Sequence, residues 1–599
     1  MNSKAARARV AGSLLVAAIV VGVFFNAAFL TEAPVFGIGV DPGGTLWMYD
    51  WVREEVMSGR FPAFTTRMYY PEGVSLIVRN GSNVVDAILS IPFQLALGPQ
   101  RGVLATAVLI LVGNALSMLP LARHLAPRRP MLQWCVAAWW MASAYVLQEM
   151  EGGRPTQAML WFVPPAVLAL LRFEGRRDAV MFGTCVGLQS WVYWYMGPFM
   201  ALCLAPLALA RLVRDGWDGV GKLLLAGVVA LLVVAPRAAP IAYALAQGEV
   251  PGLARPVTET MIYVDAAHRI DNILERHTGI TTLLALACAL ALWRRGWIAA
   301  GILLGVWCSL GVRFGTDDVL FDNIPYIFLY EHSGFISRLN FPERVFSVVY
   351  CLLACALLLA FARTRLSALP WLIVLVGLTE KSAIRLLPLS PFDGGELPAS
   401  SIVRANPGPV LTVPTKSVDG VLMQQIFHRQ PMVGGMGDHE PSIRTAEFSA
   451  RIAGNAYFAA LVAEADDAAR PWTPADVNAL KQWVRWIWYD YELQERTNGV
   501  ETAKMTRVRL TAYLGQPYYS DGFSSVWDLR RRNATASEEE KAAADAILEA
   551  RKARAWRFPK PAGGTEGGAE GAGAGGDTTG GKEGSESKGE AAKGGTPFR

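Results

Sequence analysis

The first 380 residues of this 599-residue chain are a succession of apolar runs separated by short arginine clusters, and no other feature restricts the possible folds as strongly. A helix needs about 17 to 25 mostly apolar residues to cross roughly 30 Å of hydrocarbon. Eleven candidate spans are read at 11–30, 101–122, 131–148, 157–171, 178–194, 197–212, 219–236, 279–293, 297–311, 344–362 and 367–380. Mean hydropathy over the whole chain is +0.28 although its C-terminal third is soluble in character, so the N-terminal part is very apolar.

The cations set the expected orientation, because Lys and Arg in short loops stay on the cytoplasmic side. With Lys4, Arg7 and Arg9 inside, every second loop should be basic. The loops carrying Arg123, Arg128 and Arg129, then Arg172, Arg176 and Arg177, then Arg211 and Arg214, then Arg294 and Arg295, then Arg363 and Arg365 fit that alternation. The segment after the first span, the loops around 148–156, 237–278 and 312–343, and everything beyond about 381 are then extracytoplasmic. The first span is followed by many others and by no small-residue cleavage pattern, so it is read as an anchor rather than a removed signal. The expected location is the inner cell membrane, with a cytoplasmic N-terminus.

All seven cysteines (135, 185, 203, 288, 308, 351 and 355) fall in apolar spans, where they act as small hydrophobes. No disulfide framework or thiolate zinc site is expected. A net charge of +5, dispersed along the chain, gives no footprint for nucleic acid.

The expected fold class is an α-helical polytopic membrane protein of about eleven spans, followed by a small extracytoplasmic α/β domain and a disordered tail. The multi-span domain covers 1–380, with a long first outer loop at 31–83. The α/β domain covers 381–535, with strand-like runs such as "GPVLTVP" and "SSVWDL" and a helical stretch at 475–484. A charged helix at 536–556 leads into a Gly-rich segment, 557–599, with too little apolar surface to fold.

The first outer loop holds the most suggestive chemistry. Asp41 followed by Pro42 reads as a helix start, the carboxylate near free backbone N–H groups and Pro in the first turn. Met48, Trp51, Val52 and Val56 share one face of that helix, which would lie along the membrane with Trp47 and Trp51 at headgroup level. "YYPEG" (69–73) makes a turn, and Asn83 with Asp86 reads as the start of the next helix. Glu149 and Glu151 in "QEMEGGRPTQ" read either as a reserve acidic pair for a metal or as a solvated turn. His268, Asp271 and Glu275 read as one face of a surface amphipathic helix.

This early Asp, the Trp-rich helix and the "YYPEG" turn resemble the GT-C superfamily of polytopic, polyprenyl-phosphate-sugar-dependent glycosyltransferases of bacterial type. A second segment carries the same resemblance. "IPYIFLYEHSGFISRLNFPERVFSV" (324–348) looks like the Pro-Tyr, Gly-Phe, Arg, Pro-x-Arg-Phe pattern of bacterial members, with Val345 where Phe is usual. The resemblance implies transfer of a hexosyl or pentosyl group from a lipid-linked donor to a glycan, lipid or protein acceptor on the outer face of the membrane. It implies the first-loop Asp as base, which in some branches also helps bind metal. Here Asp41 has no acidic neighbour, so no cofactor is assigned and a divalent metal is left open.

The residues can be read the same way chemically. Displacement at a sugar carbon needs a base for the acceptor hydroxyl and cations for the departing phosphate. Asp41 is the candidate base. Arg338 and Arg344, with Arg313 behind them, are candidate phosphate ligands, because guanidinium groups bind phosphate oxygens in bidentate fashion. Arginines at span ends also snorkel to headgroups, and that reading stays open. Glu343, His332, Trp47 and Tyr70 complete the candidate substrate-binding set. The alternative function is a non-enzymatic protein or transporter of envelope glycans or lipids. The chain has few ionisable residues within its spans and no internal repeat, the two features that transport favours.

Overall fold

The computed structural model describes residues 3–29, 37, 41–79, 84–248, 279–292, 296–315, 320–333, 336–338, 342–362, 371–373, 376, 395–413, 418–435, 445–455, 474–491, 500–521, 524–531 and 534–555. The amphipathic segment at 268–275, most of the span expected at 367–380 and the Gly-rich 557–599 lie outside them. Residues Met1–Lys560 form one compact unit.

Among the described residues, four helical stretches are long and apolar enough to cross a membrane: Ala6–Val23 within helix α1 (Ser3–Phe29), Pro99–Leu125, Met196–Ala246 and Pro342–Phe361. Shorter apolar helices are Val84–Leu97, Ile280–Ala291 and Gly296–Ser309. The 51-residue stretch Met196–Ala246 is broken at Gly216, whose φ of 55° is open to glycine, and the break separates the two runs read at 197–212 and 219–236.

The runs read at 131–148 and 157–171 are not continuous helices. The first stops at Met141 and resumes at Ala144–Glu151. The second is helical only from Val163 to Arg172, after a one-turn helix at Pro155–Ala158. The non-helical residues between are satisfied from the side. Asn114 donates to the Ala158 carbonyl (2.8 Å) and accepts from the Leu160 N–H (2.9 Å). Gln189 donates to the Met159 carbonyl (2.7 Å) and accepts from the Phe162 N–H (3.2 Å). Irregular backbone within an apolar core is tolerated where protein supplies such partners.

Helix contacts use small residues. Gly183 and Gly187, four apart, face the stretch after Gly216, where a Cβ would lie 2.2 Å from the Ala226 carbonyl and 2.6 Å from Val233. Gly301 and Gly305 likewise face Cys203 and Val349. Both are G-x-x-x-G pairs, which let helices approach where hydrophobic burial gives no preference for protein over lipid. The seven cysteines are all buried thiols, as their apolar surroundings require.

The C-terminal region holds a four-stranded sheet of order β5-β6-β8-β7, with β5 (Val410–Val413) parallel to β6 (Trp486–Asp490), and β8 (Ser524–Asp528) antiparallel to β6 and to β7 (Tyr519–Ser520). Side chains alternate across it. Trp486 and Trp488 pack with Ile402 and Ala544 on one face, while Ile487 and Tyr489 join the main core on the other. The strands read from "GPVLTVP" and "SSVWDL" are β5 and β8. Arg485 and Asp528 close the sheet with a buried 3.0 Å ion pair.

This sheet region is bolted to the segment that follows α1. Helix α2 (Asp41–Met57) is covered by the helix Val418–His428, so Trp47 and Trp51 are 1 % exposed and stack on each other at 5.8 Å. The sequence places them at headgroup level; burial under a helix some 370 residues distant along the chain replaces that position. Trp47 donates its indole N–H to Gln425. Gln425 in turn donates to the Arg67 carbonyl (2.6 Å), which also accepts from the Met432 N–H (2.8 Å). Tyr69 and Tyr70 donate their N–H groups to the Gly434 and Met432 carbonyls, both at 3.0 Å. "YYPEG" is the turn of a small hairpin, β1 (Phe64–Thr65) with β2 (Val74–Ser75), and this backbone zipper runs along its flank.

Beside the zipper, His428 is fully buried against Trp488. Burial first, then the Arg429 and Arg404 charges, push its pKa down to about 3. The unfolded imidazole binds a proton near 6.5, so the folded state gives up stability as pH falls below about 6.5, at up to about 1.4 kcal/mol per pH unit. The melting temperature is expected to drop between pH 7 and 5. His428→Asn, which keeps an acceptor for the Gln430 N–H but does not titrate there, should flatten that slope. Identical slopes in the two proteins would remove His428 as the cause.

Candidate active site

Asp41 is the first residue of α2, and its side chain is 43 % exposed. The neighbouring wall is the turn that ends the helix Ala144–Glu151. Gly153 has φ 70°, its N–H donates to the Met150 carbonyl at 3.0 Å, and the Arg154 N–H donates to the Glu149 carbonyl at 2.8 Å. These two bonds make a Schellman motif, which commonly brings together the side chains three residues before the cap and two after it. Here those residues are Glu149 and Arg154, and an ion pair stands where an apolar contact is usual: Arg154 Nε donates to Glu149 Oε2 at 2.5 Å.

The same turn is fixed against α2. Thr45 donates to the Gly153 carbonyl (2.8 Å), and a Cβ on Gly153 would lie 2.5 Å from Pro42. Arg154 Nη1 then reaches Asp41 Oδ2 at 2.9 Å. From the other side Arg344, in the turn Pro342–Val345, approaches Glu149 Oε1 at 3.5 Å and donates to the Tyr193 hydroxyl. The result is a charge-alternating chain, Asp41–Arg154–Glu149–Arg344. Beneath it Asp86 accepts from Thr156 (2.5 Å) and from the Tyr49 hydroxyl, tying α2 to the helix Val84–Leu97 and the 155–158 turn.

Burial by itself would raise the Glu149 carboxyl, but Arg154 and Arg344 bring it below the usual glutamate range. Burial works against the charge on Arg154, and Glu149 and Asp41 more than offset it, holding the guanidinium above its ordinary value. Glu149 is therefore a buried, ionised anchor, not the solvated turn residue that its loop position suggested.

Of the residues singled out in the sequence, Asp41, Glu149 and Arg344 come into one network. Trp47 is enclosed beneath Gln425. Tyr70 is half-buried in the hairpin turn. His332 ends the helix Ile324–His332, exposed, stacked on Phe328 with its Nδ1 2.8 Å from the Phe328 carbonyl. Glu343 is half-buried next to Arg344. Arg338 closes a short turn, Ile336–Arg338, and its side chain lies outside the described residues. Arg313 pairs with Asp322 (3.0 Å) across the hairpin of β3 (Arg313–Gly315) and β4 (Leu320–Asp322). Arg154 and Tyr193 were not singled out. The helix-ending Gly-Gly before Arg154 was the available signal.

The site does not fit a divalent ion. No group of three or more His, Cys, Asp or Glu side chains gathers among the described residues. Asp41 and Glu149 share one guanidinium, that of Arg154, which occupies the space between them.

This arrangement, a helix start after the first span facing the loop between later spans with a C-terminal sheet region docked on it, is a fold that recurs among solved structures. Among solved structures it is similar to the arabinofuranosyltransferase AftD from Mycobacteria, at a TM-score of 0.54 and 13 % identity over 88 % of this chain. The alignment spans about 40 % of AftD's length. It is also similar to the oligosaccharyltransferase AglB from Archaeoglobus fulgidus, with a TM-score of 0.45, 13 % identity, and coverage of 82 % of this chain and 70 % of that one. ArnT from Cupriavidus metallidurans, solved with undecaprenyl phosphate, gives a TM-score of 0.45, 12 % identity, and coverage of 88 % and 99 %. No family model and no curated protein matches the sequence.

Proposed function

We propose that the chain is a membrane glycosyltransferase that moves a sugar from a polyprenyl-phosphate-linked donor to a hydroxyl of an envelope glycan, lipid or protein on the extracytoplasmic side. The observation that carries this reading is the half-open Asp41 carboxylate at the start of α2, backed by the ion chain that reaches Arg344 at the edge of the span Pro342–Phe361. In the reaction the acceptor oxygen forms a bond to the sugar carbon, the bond to the phosphate oxygen breaks, and the phosphate leaves with the electron pair. Asp41 takes the acceptor proton. Arg154 and Glu149 hold that carboxylate in place, and Arg344 holds Glu149. Arg338 is the cation assigned to the departing phosphate, where negative charge grows as the sugar leaves. The basic loops support a cytoplasmic N-terminus and an extracytoplasmic sheet region.

Mass spectrometry of lipids that co-purify with the full chain tests the donor class. A polyprenyl phosphate, free or carrying a sugar, is the expected finding. Bulk phospholipid alone in protein that still melts cooperatively would overturn the lipid-linked donor.

A further inference from the structure

The structure assigns to Arg154 the position of the site's resident cation, so that the Asp41 carboxylate is set in place without a divalent metal. This deepens the glycosyltransfer reading and rests on it for the importance of Asp41, but not for the binding behaviour that tests it.

Three observations carry the assignment. First, one guanidinium serves both carboxylates, with Nη1 on Asp41 Oδ2 at 2.9 Å and Nε on Glu149 Oε2 at 2.5 Å. Second, the backbone determines its place. The Schellman turn sets Arg154 over Glu149, and Gly153 lies too close to Pro42 to admit a Cβ without a shift. Thr45 locks that turn to the first turn of α2. Third, Arg344 faces Glu149 from the opposite side at 3.5 Å, so two positive side chains already offset the two carboxylates. A divalent ion would need those same oxygens, together with several further oxygen ligands, and would add its charge to two guanidinium groups.

Arg154 is thus a positioning residue that acts through Asp41. Without it, the Asp41 and Glu149 carboxylates would border the space the guanidinium fills, and a hard cation with water completing its ligand shell becomes the natural occupant.

Mn²⁺ titration of the purified full-length protein at neutral pH, followed by electron paramagnetic resonance, tests this without any turnover assay. Wild type is expected to show no bound Mn²⁺ that Asp41→Asn removes. Arg154→Ala is expected to gain a stoichiometric Mn²⁺ that the added Asp41→Asn change abolishes, and Arg154→Lys, which keeps the charge, should exclude the ion as wild type does. Asp41-dependent Mn²⁺ in wild type would overturn the assignment. So would an Arg154→Ala protein with a wild-type melting temperature that binds none. If Arg154→Ala does not fold, Arg154→Gln carries the same expectation. Because the readout is ion binding, its failure is distinct from the absence of a polyprenyl lipid, which would sink the donor class alone.

Discussion

Asp41→Asn is expected to lower the rate of sugar transfer by about 10²- to 10⁴-fold, the range by which a positioned general base contributes. Asparagine preserves the size of the side chain, suits the start of α2, and keeps an oxygen that accepts from Arg154. What it loses is the capacity to take the acceptor proton. The loss should therefore fall on kcat, with little change in donor KM and no change in melting temperature beyond that of weakening one partly exposed ion pair, which is about 1 kcal/mol. Transfer at a near wild-type rate would reduce Asp41 to a helix start that also anchors Arg154. Glu149 would not inherit the role, since it is enclosed between Arg154 and Arg344 while Asp41 is open to solvent.

What was legible in the sequence was what local chemistry decides. The span order from 99 to 125 and from 196 to 246, the strands β5 and β8, the charged helix near 538–555 and the helix start at Asp41 all follow from apolar length, strand composition and a Pro in the first turn. The break at 159–162 was written in Pro155, Pro164 and Pro165, but its tolerance depends on Asn114 and Gln189 from other helices. Composition cannot register that dependence.

The site was half legible for a related reason. Asp41 stands out because Asp-Pro marks a helix start and because that start directly follows the first span. Arg154 pairs with it across 113 residues. A loop reading "EMEGGR" looks solvated until a second loop covers it, although the Gly-Gly after an apolar helix does mark a left-handed cap whose flanking Glu and Arg must meet. The burial of Trp47 and Trp51 was misplaced because an amphipathic helix next to a membrane has two apolar surfaces to choose from, lipid and protein. The docked helix Val418–His428 decides for protein.

That docking leads to the second large effect, expected for Asp50. Its side chain is 1 % exposed and pairs with Arg53 at 2.5 Å and with Arg429 from the sheet region. Arg429 also pairs with Glu54, which pairs with Arg67, so the ion network spans both sides of the interface. Arg429 holds a left-handed φ of 62°, unfavourable by about 1 to 2 kcal/mol for a side chain with a Cβ and held by these pairs. Asp50→Ala removes the central acceptor and leaves two guanidinium groups facing each other, so a loss of about 3 kcal/mol is expected from breaking a buried pair on one side. Arg429→Gly should cost less than Arg429→Ala, because glycine relaxes the backbone while both delete the charge. Hydrogen exchange should rise together in 67–70 and 425–434, the two strips joined by the backbone zipper. Asp50 lies nine residues along α2 from Asp41, about 13 Å at 1.5 Å per residue. Loosening this end should therefore also slow transfer by letting the helix start drift from Arg154. Unchanged exchange in either strip, with unchanged melting, would mean that the apolar contacts around Trp47 hold the interface and that the ions merely decorate it.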